Sequence, residues 1–177
     1  MDKTNEQIKN EVGQAFDKVI DWLDKQEDSF INQTVIEEKW TAAQHMDHIV
    51  KTSKATCKGF HVPKEKLKEK FGLCEREQYT YENINTKYRS GLSVGLKSPE
   101  KFVGEEGREF EKSELRENLL EQKNNFQEAI SSWSVEDMKT YMMPNPAIQY
   151  MSFYEYCMFN SIHLEHHLET LTEKYRP

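Results

Sequence analysis

Apolar residues recur every three to four positions over four separate stretches of roughly twenty residues, and that spacing restricts the fold more than any other feature. A position repeated every 3.6 residues of an α-helix stays on one face, so each stretch predicts an amphipathic helix that needs partners to cover its stripe. The first runs from about Asn5 to Lys25, with Ile8, Val12, Phe16, Ile20 and Leu23 on the stripe and Asp17, Asp21 and Asp24 off it. The second opens after Trp40, with Thr41 as N-cap, carries Ala42, Met46, Ile49 and Ser53 on one side, and fades near Gly59. The third begins at Ser113, read as an N-cap with Glu114 in the first turn; it carries Leu115, Leu119, Lys123, Phe126 and Ile130 and ends near Trp133. The proline-containing stretch 141–146 stops helix continuation. The fourth helix opens at Ser152, where Ser152 and Glu155 have the spacing of a capping box, and runs to about Lys174.

Four such helices predict an all-α four-helix bundle, with residues 1–177 forming one domain. Strand alternation is absent apart from a weak candidate at 78–81. Between helices two and three, residues 60–112 form a long crossover: 62–70 and 79–88 can supply short helical pieces, and Gly91, Gly95, Pro99, Gly104 and Gly107 punctuate the rest. Connections this long are uncommon in compact domains, and this one could cross the bundle end and cover a site.

The charge balance narrows the partners. Lys and Arg number 24 against 31 Asp and Glu, a net charge of −7, which disfavours binding a phosphate backbone, so no nucleic-acid partner is expected. Three widely spaced cysteines, Cys57, Cys74 and Cys157, suit a reducing compartment better than a disulfide framework. The N-terminus has no basic start followed by an apolar run, and no stretch approaches the roughly 20 apolar residues that span a bilayer. The expectation is a cytoplasmic protein with no membrane partner.

Chemistry concentrates in the last helix, where three of the six histidines, His163, His166 and His167, fall within five residues. His163 and His167 are four apart and so stack on one face, while Glu165, Glu169 and Glu173 point away. Inward histidines are often core residues with one satisfied nitrogen, but two stacked on a bundle helix can grip a divalent metal with a third ligand from a facing helix. His45 and His48 on helix two both qualify: periodicity favours His45, nearer the Ala42, Met46 and Ile49 stripe, but spacing alone does not choose between them; His61, near Pro63 in a loop, is a weaker candidate. Asn160, Tyr156 and Gln44 are candidates for orienting the rings, although packing explains each as well. Cys157 faces inward with no basic neighbour on its helix and reads as an inert buried thiol.

The segment from Trp40 to Ile49, together with a capped last helix carrying His163-x-x-x-His167, resembles the DinB-like superfamily, which includes the YfiT-type proteins. Its members show a Trp followed eight residues later by a His in helix two, and here Trp40 plus eight is His48. The resemblance implies His48, His163 and His167 as three ligands of one divalent ion, zinc or nickel first, with manganese or iron as further options. It also implies an enzyme rather than an inert bundle. Characterised relatives include thiol-dependent transferases and isomerases that use low-molecular-weight bacterial thiols, and others are assigned as metal-dependent hydrolases. The expected partners are therefore a small-molecule substrate, a low-molecular-weight thiol and a second copy in a homodimer. Thr170 stands where many relatives carry Gln, and the 60–112 connection does not match the family's pattern, so the resemblance leaves the substrate side open. Two other readings share the same residues: a hydrolase using metal-bound water, and a non-catalytic bundle with a structural metal.

Overall fold

The computed structural model describes residues 3–175, so Met1 and Asp2 at the N-terminus lie outside it, as do Arg176 and Pro177. Helix α1 (Asn5–Asp24) opens on a capping box between Thr4 and Gln7 and is followed by the single turn α2 (Asp28–Ile31). Helix α3 (Ala42–Phe60) begins at the expected Thr41 cap, whose hydroxyl and the Gln44 amide reciprocally satisfy backbone N–H groups. The crossover contains α4 (Lys64–Phe71), α5 (Tyr81–Ser93) and a 3-10 turn (Glu100–Phe102). Helices α6 (Lys112–Ser131) and α7 (Val135–Thr140) lead into a hairpin of β1 (Met142–Asn145) and β2 (Gln149–Ser152), and α8 (Phe153–Lys174) ends the fold.

The four long helices form the bundle: α1 packs against α6 and α8, and α3 packs against the same two. Their stripes meet in a core that fully buries Phe16, Leu23, Met46, Ile49, Leu119, Phe126 and Phe153. At one end Phe60, Trp133 and Phe153 pack with ring centroids 4.7–5.5 Å apart, and the Trp133 indole N–H donates to the Phe60 carbonyl at 3.0 Å. No helix among the described residues is long and apolar enough to cross a membrane.

Four local expectations need correction. The cap of α6 is Glu111 rather than Ser113, and it makes no side-chain cap bond. The Asn32 amide grips Phe110 at both its N–H (3.0 Å) and its carbonyl (2.9 Å), and Lys112 reaches the Asp24 and Gln26 carbonyls, so the chain turns into the helix earlier. On α6 it is Gln122, not Lys123, that is buried, while Lys123 extends to Asp17 at 2.5 Å. Residues 78–81 are not a strand, because the Tyr79 N–H goes to the Glu155 carboxylate and Thr80 caps α5. The strands lie instead at 142–152, where the Asn145 side chain accepts from the Ala147 and Ile148 N–H groups and turns the chain back on itself.

The crossover docks through the buried Leu67, Ile84 and Tyr88. It is tied to the start of α8 by Arg76, whose two Nη atoms meet the two oxygens of the fully buried Glu155 at 2.6 and 2.8 Å. Glu155 also accepts from the N–H groups of Tyr79 (2.6 Å) and Ser152 (2.9 Å). Farther along, the segment after the 3-10 turn crosses the N-terminal half of α3, and this fixes one wall of the site described next.

Candidate metal centre

Helix α3 presents His48, and α8 presents His163 and His167 from successive turns, to the same buried spot. His163 Nε2 lies 3.0 Å from His48 Nε2 and 3.0 Å from His167 Nε2. One ligand atom from each of the three lies within 4.8 Å of the others. Nitrogens bound tetrahedrally at about 2.0–2.1 Å from an ion would be roughly 3.3 Å apart, and the two separations that involve His163 already lie within a few tenths of an ångström of that spacing. The residues fit a divalent metal by donor chemistry as well: three imidazoles, no carboxylate and no thiolate.

Electrostatics keep these rings neutral. Burial pushes His163 and His167 well below the ordinary histidine value, reinforced by neighbouring rings, and burial also lowers His48 against the opposing pull of the Phe102 carbonyl. Trp40 packs against the cluster with its ring centroid 5.0 Å from that of His48, the Phe159 ring stacks on His163 at 5.7 Å, and Tyr88 meets His163 edge-on at 6.0 Å. This hem of rings lowers the local dielectric around the nitrogens and strengthens any charge interaction there.

The crossover supplies the orientation of His48. The Phe102 carbonyl lies 2.6 Å from His48 Nδ1, and since a carbonyl can only accept, the proton sits on Nδ1 and Nε2 is left with its lone pair toward His163. Two further bonds hold this strand of chain on α3: Lys51 donates to the Val103 carbonyl at 2.9 Å, and the Glu105 N–H donates to Asp47 at 3.0 Å. Gly104 makes the approach possible, because a Cβ there would lie 2.6 Å from the Gln44 carbonyl oxygen. The expectation that the crossover could cover a site thus has a concrete form.

The remaining histidines separate. His45 lies outside the three-histidine group, with its Nδ1 2.9 Å from His167 Nδ1. His166 is half-buried against Tyr88, and His61 is the exposed C-cap of α3. Of the three candidate ring-orienting residues, none bonds a histidine of the group. Gln44 caps α3, Tyr156 donates to the Pro144 carbonyl, and Asn160 accepts from Ser53 with its Nδ2 unpartnered. Cys157 is buried, and burial pushes its thiol far above the ordinary range, while Cys57 is pushed up to about 12. Sequence reasoning missed the Phe102 carbonyl, a backbone group that leaves no side-chain signal, and it missed Tyr175, which reaches His45 at 3.3 Å from the end of α8.

Comparison with known proteins agrees with this architecture. A crystal structure of an uncharacterized protein from Clostridium difficile 630 has the same fold, with a TM-score of 0.60 and 16% identity, covering 98% of this chain and 96% of that one. No curated protein matches the sequence significantly. The sequence profile of the DinB superfamily matches residues 11–171, so the bundle and its buried three-histidine group stand on a chain that belongs to the DinB superfamily.

Proposed function

We propose that this protein is a metal-dependent enzyme of the thiol S-transferase class, holding one divalent ion on His48, His163 and His167. The observation that carries the reading is the convergence of three buried, neutral Nε2 atoms from two facing helices. Three protein donors leave a fourth position for an exogenous ligand, as catalytic rather than structural sites do. A divalent ion there would lower the pKa of a coordinated thiol and present it as the thiolate.

The chain's own residues do the rest. Phe102 holds the His48 ring, and Trp40, Tyr88 and Phe159 pack around the cluster. Cys57 and Cys157 remain protonated in the core, and Cys74 accepts from Gln78 beside the start of α8 rather than from the histidines, so the nucleophile comes from a thiol cosubstrate rather than the protein.

The test is metal content by mass spectrometry of untagged protein beside His48→Ala and the triple alanine variant, followed by a screen of low-molecular-weight thiols with electrophiles. About one ion per chain, lost in the variants, with activity that needs added thiol, is the expected result. Turnover without thiol would favour a hydrolase using metal-bound water. No ion retained after incubation with zinc, nickel or manganese would overturn the reading.

A further inference from the structure

His45 touches none of the trio's converging atoms, yet it is buried and engaged at both ring nitrogens: Nδ1 lies 2.9 Å from His167 Nδ1, and Nε2 lies 3.3 Å from the Tyr175 hydroxyl. Tyr175 in turn donates its single hydroxyl proton to the Trp40 carbonyl. The protons along this line can be assigned one by one. A carbonyl only accepts, so the Tyr175 O–H points at Trp40, and the phenol oxygen can only accept from His45. His45 therefore carries its proton on Nε2, and its Nδ1 offers a lone pair. Facing that lone pair, His167 Nδ1 must be the N–H. His167 Nε2 is then bare, and it faces His163.

We propose that His45 is a positioning residue: with Tyr175 and the Trp40 carbonyl it forms a relay that fixes His167 as the Nδ1–H tautomer and aims its Nε2 lone pair into the three-histidine cluster. Metal-ligating histidines are commonly oriented by a carboxylate or carbonyl on the second nitrogen, and Phe102 serves His48 in that way. For His167 the acceptor is another imidazole, held in register by a phenol. The relay also ties two remote pieces of chain together, since Trp40 and His45 flank the start of α3 and Tyr175 follows α8. Orientation of the cluster thereby depends on how the end of α8 docks against the start of α3.

Its consequence for metal affinity rests on the function proposed above, but the tautomer belongs to the metal-free chain and is read without any ion. The experiment uses the full-length chain labelled with 15N at histidine. Long-range 1H–15N correlation spectra of the metal-free protein at pH 7.5 should show His167 as Nδ1–H, against the Nε2–H form that a free imidazole prefers. Zinc affinity, measured by competition with a chelator, should fall about 10- to 100-fold in His45→Phe and in Tyr175→Phe. His45→Gln should recover most of the loss, because its amide oxygen can accept from His167 Nδ1. His167 found as Nε2–H in the wild type would overturn the proposal, as would a His45→Phe protein that keeps both the Nδ1–H tautomer and wild-type zinc affinity. If the wild type takes up no zinc, the functional reading falls, and the spectra alone decide whether the relay exists.

Discussion

Replacing Arg76 with Ala tests the anchor that joins the crossover to the site helix. The substitution strands the Glu155 carboxylate, which is fully buried and receives both Nη atoms at 2.6 and 2.8 Å. Breaking a buried pair by removing one partner costs about 3–5 kcal/mol, because the remaining charge is left without compensation. Two features lower that figure here. The Arg76 side chain is 33% exposed, so water can enter behind it, and Glu155 keeps the Tyr79 and Ser152 N–H groups. The guanidinium also stacks 3.8 Å over the Tyr79 ring, a contact worth about 0.5–1 kcal/mol that is lost as well. Together these give about 2–3 kcal/mol, or a fall in Tm of roughly 5–10 °C for a chain of this size. Urea and thermal unfolding followed by circular dichroism read it directly. Adding Glu155→Gln to Arg76→Ala should recover about 1 kcal/mol or more relative to additivity, since a neutral amide is not stranded. Arg76→Ala within about 0.5 kcal/mol of wild type would refute the reasoning, because that is the size of an ordinary surface change.

Three other outcomes follow from the site. The metal-free protein should lose stability on acidification: buried His45, His48, His163 and His167 have lowered folded values, so below about pH 6.5 the unfolded chain binds more protons than the folded one. The slope approaches about 1.4 kcal/mol per pH unit for each such ring, and urea titrations that show flat or rising stability from pH 7 to 5 would contradict it. For the same reason zinc affinity should fall far less between pH 7.5 and 6 than the roughly fiftyfold that three rings titrating at 6.5 would lose over that interval, a contrast that chelator competition resolves. Gly104→Ala would place a Cβ against the Gln44 backbone, where nothing can yield, and so push the Phe102 carbonyl off His48. Zinc binding in that variant should weaken about 10- to 100-fold with the bundle still folded by circular dichroism, and unchanged affinity would remove the crossover from the site.

The bundle was legible because four stripes repeat at helical spacing and three of the four long helices announce their starts by side-chain chemistry. Thr4, Thr41 and Ser152 all cap through capping boxes, and the last two start the helices that carry the histidines. Where the entry is set by tertiary contacts instead, the sequence points to the wrong residue, as at Ser113, which is overruled by the grip of Asn32 on Phe110. The hairpin was hidden by its brevity: each strand has four residues and one contains Pro144, so no alternation emerges, and Asn145 sets the turn through its side chain. His163 and His167 were readable as a stacked inward pair. The choice between His45 and His48 was not readable from spacing, since both are buried on α3 and differ in the tertiary partners that their two ring nitrogens meet.

That last distinction shows how one helix can provide two shells of a site. His45 and His48 are three residues apart, about 60° short of a full turn, so their rings fan out from α3 toward neighbouring positions on α8. His48 meets His163 through Nε2 and is steered from behind by a backbone carbonyl of the crossover. His45 meets the back of His167 and is steered by a phenol from the far end of α8. His48 and His167 are therefore each held from behind by atoms from elsewhere in the chain, none of them charged. A carboxylate in either position would bind the outer N–H more strongly, but it would also stabilise the imidazolium and let a proton compete for the inner nitrogen. Carbonyl, phenol and imidazole acceptors orient the rings without that competition. Burial favours the neutral form of each ring, and the lone pairs of His48 Nε2 and His167 Nε2 are both turned toward His163.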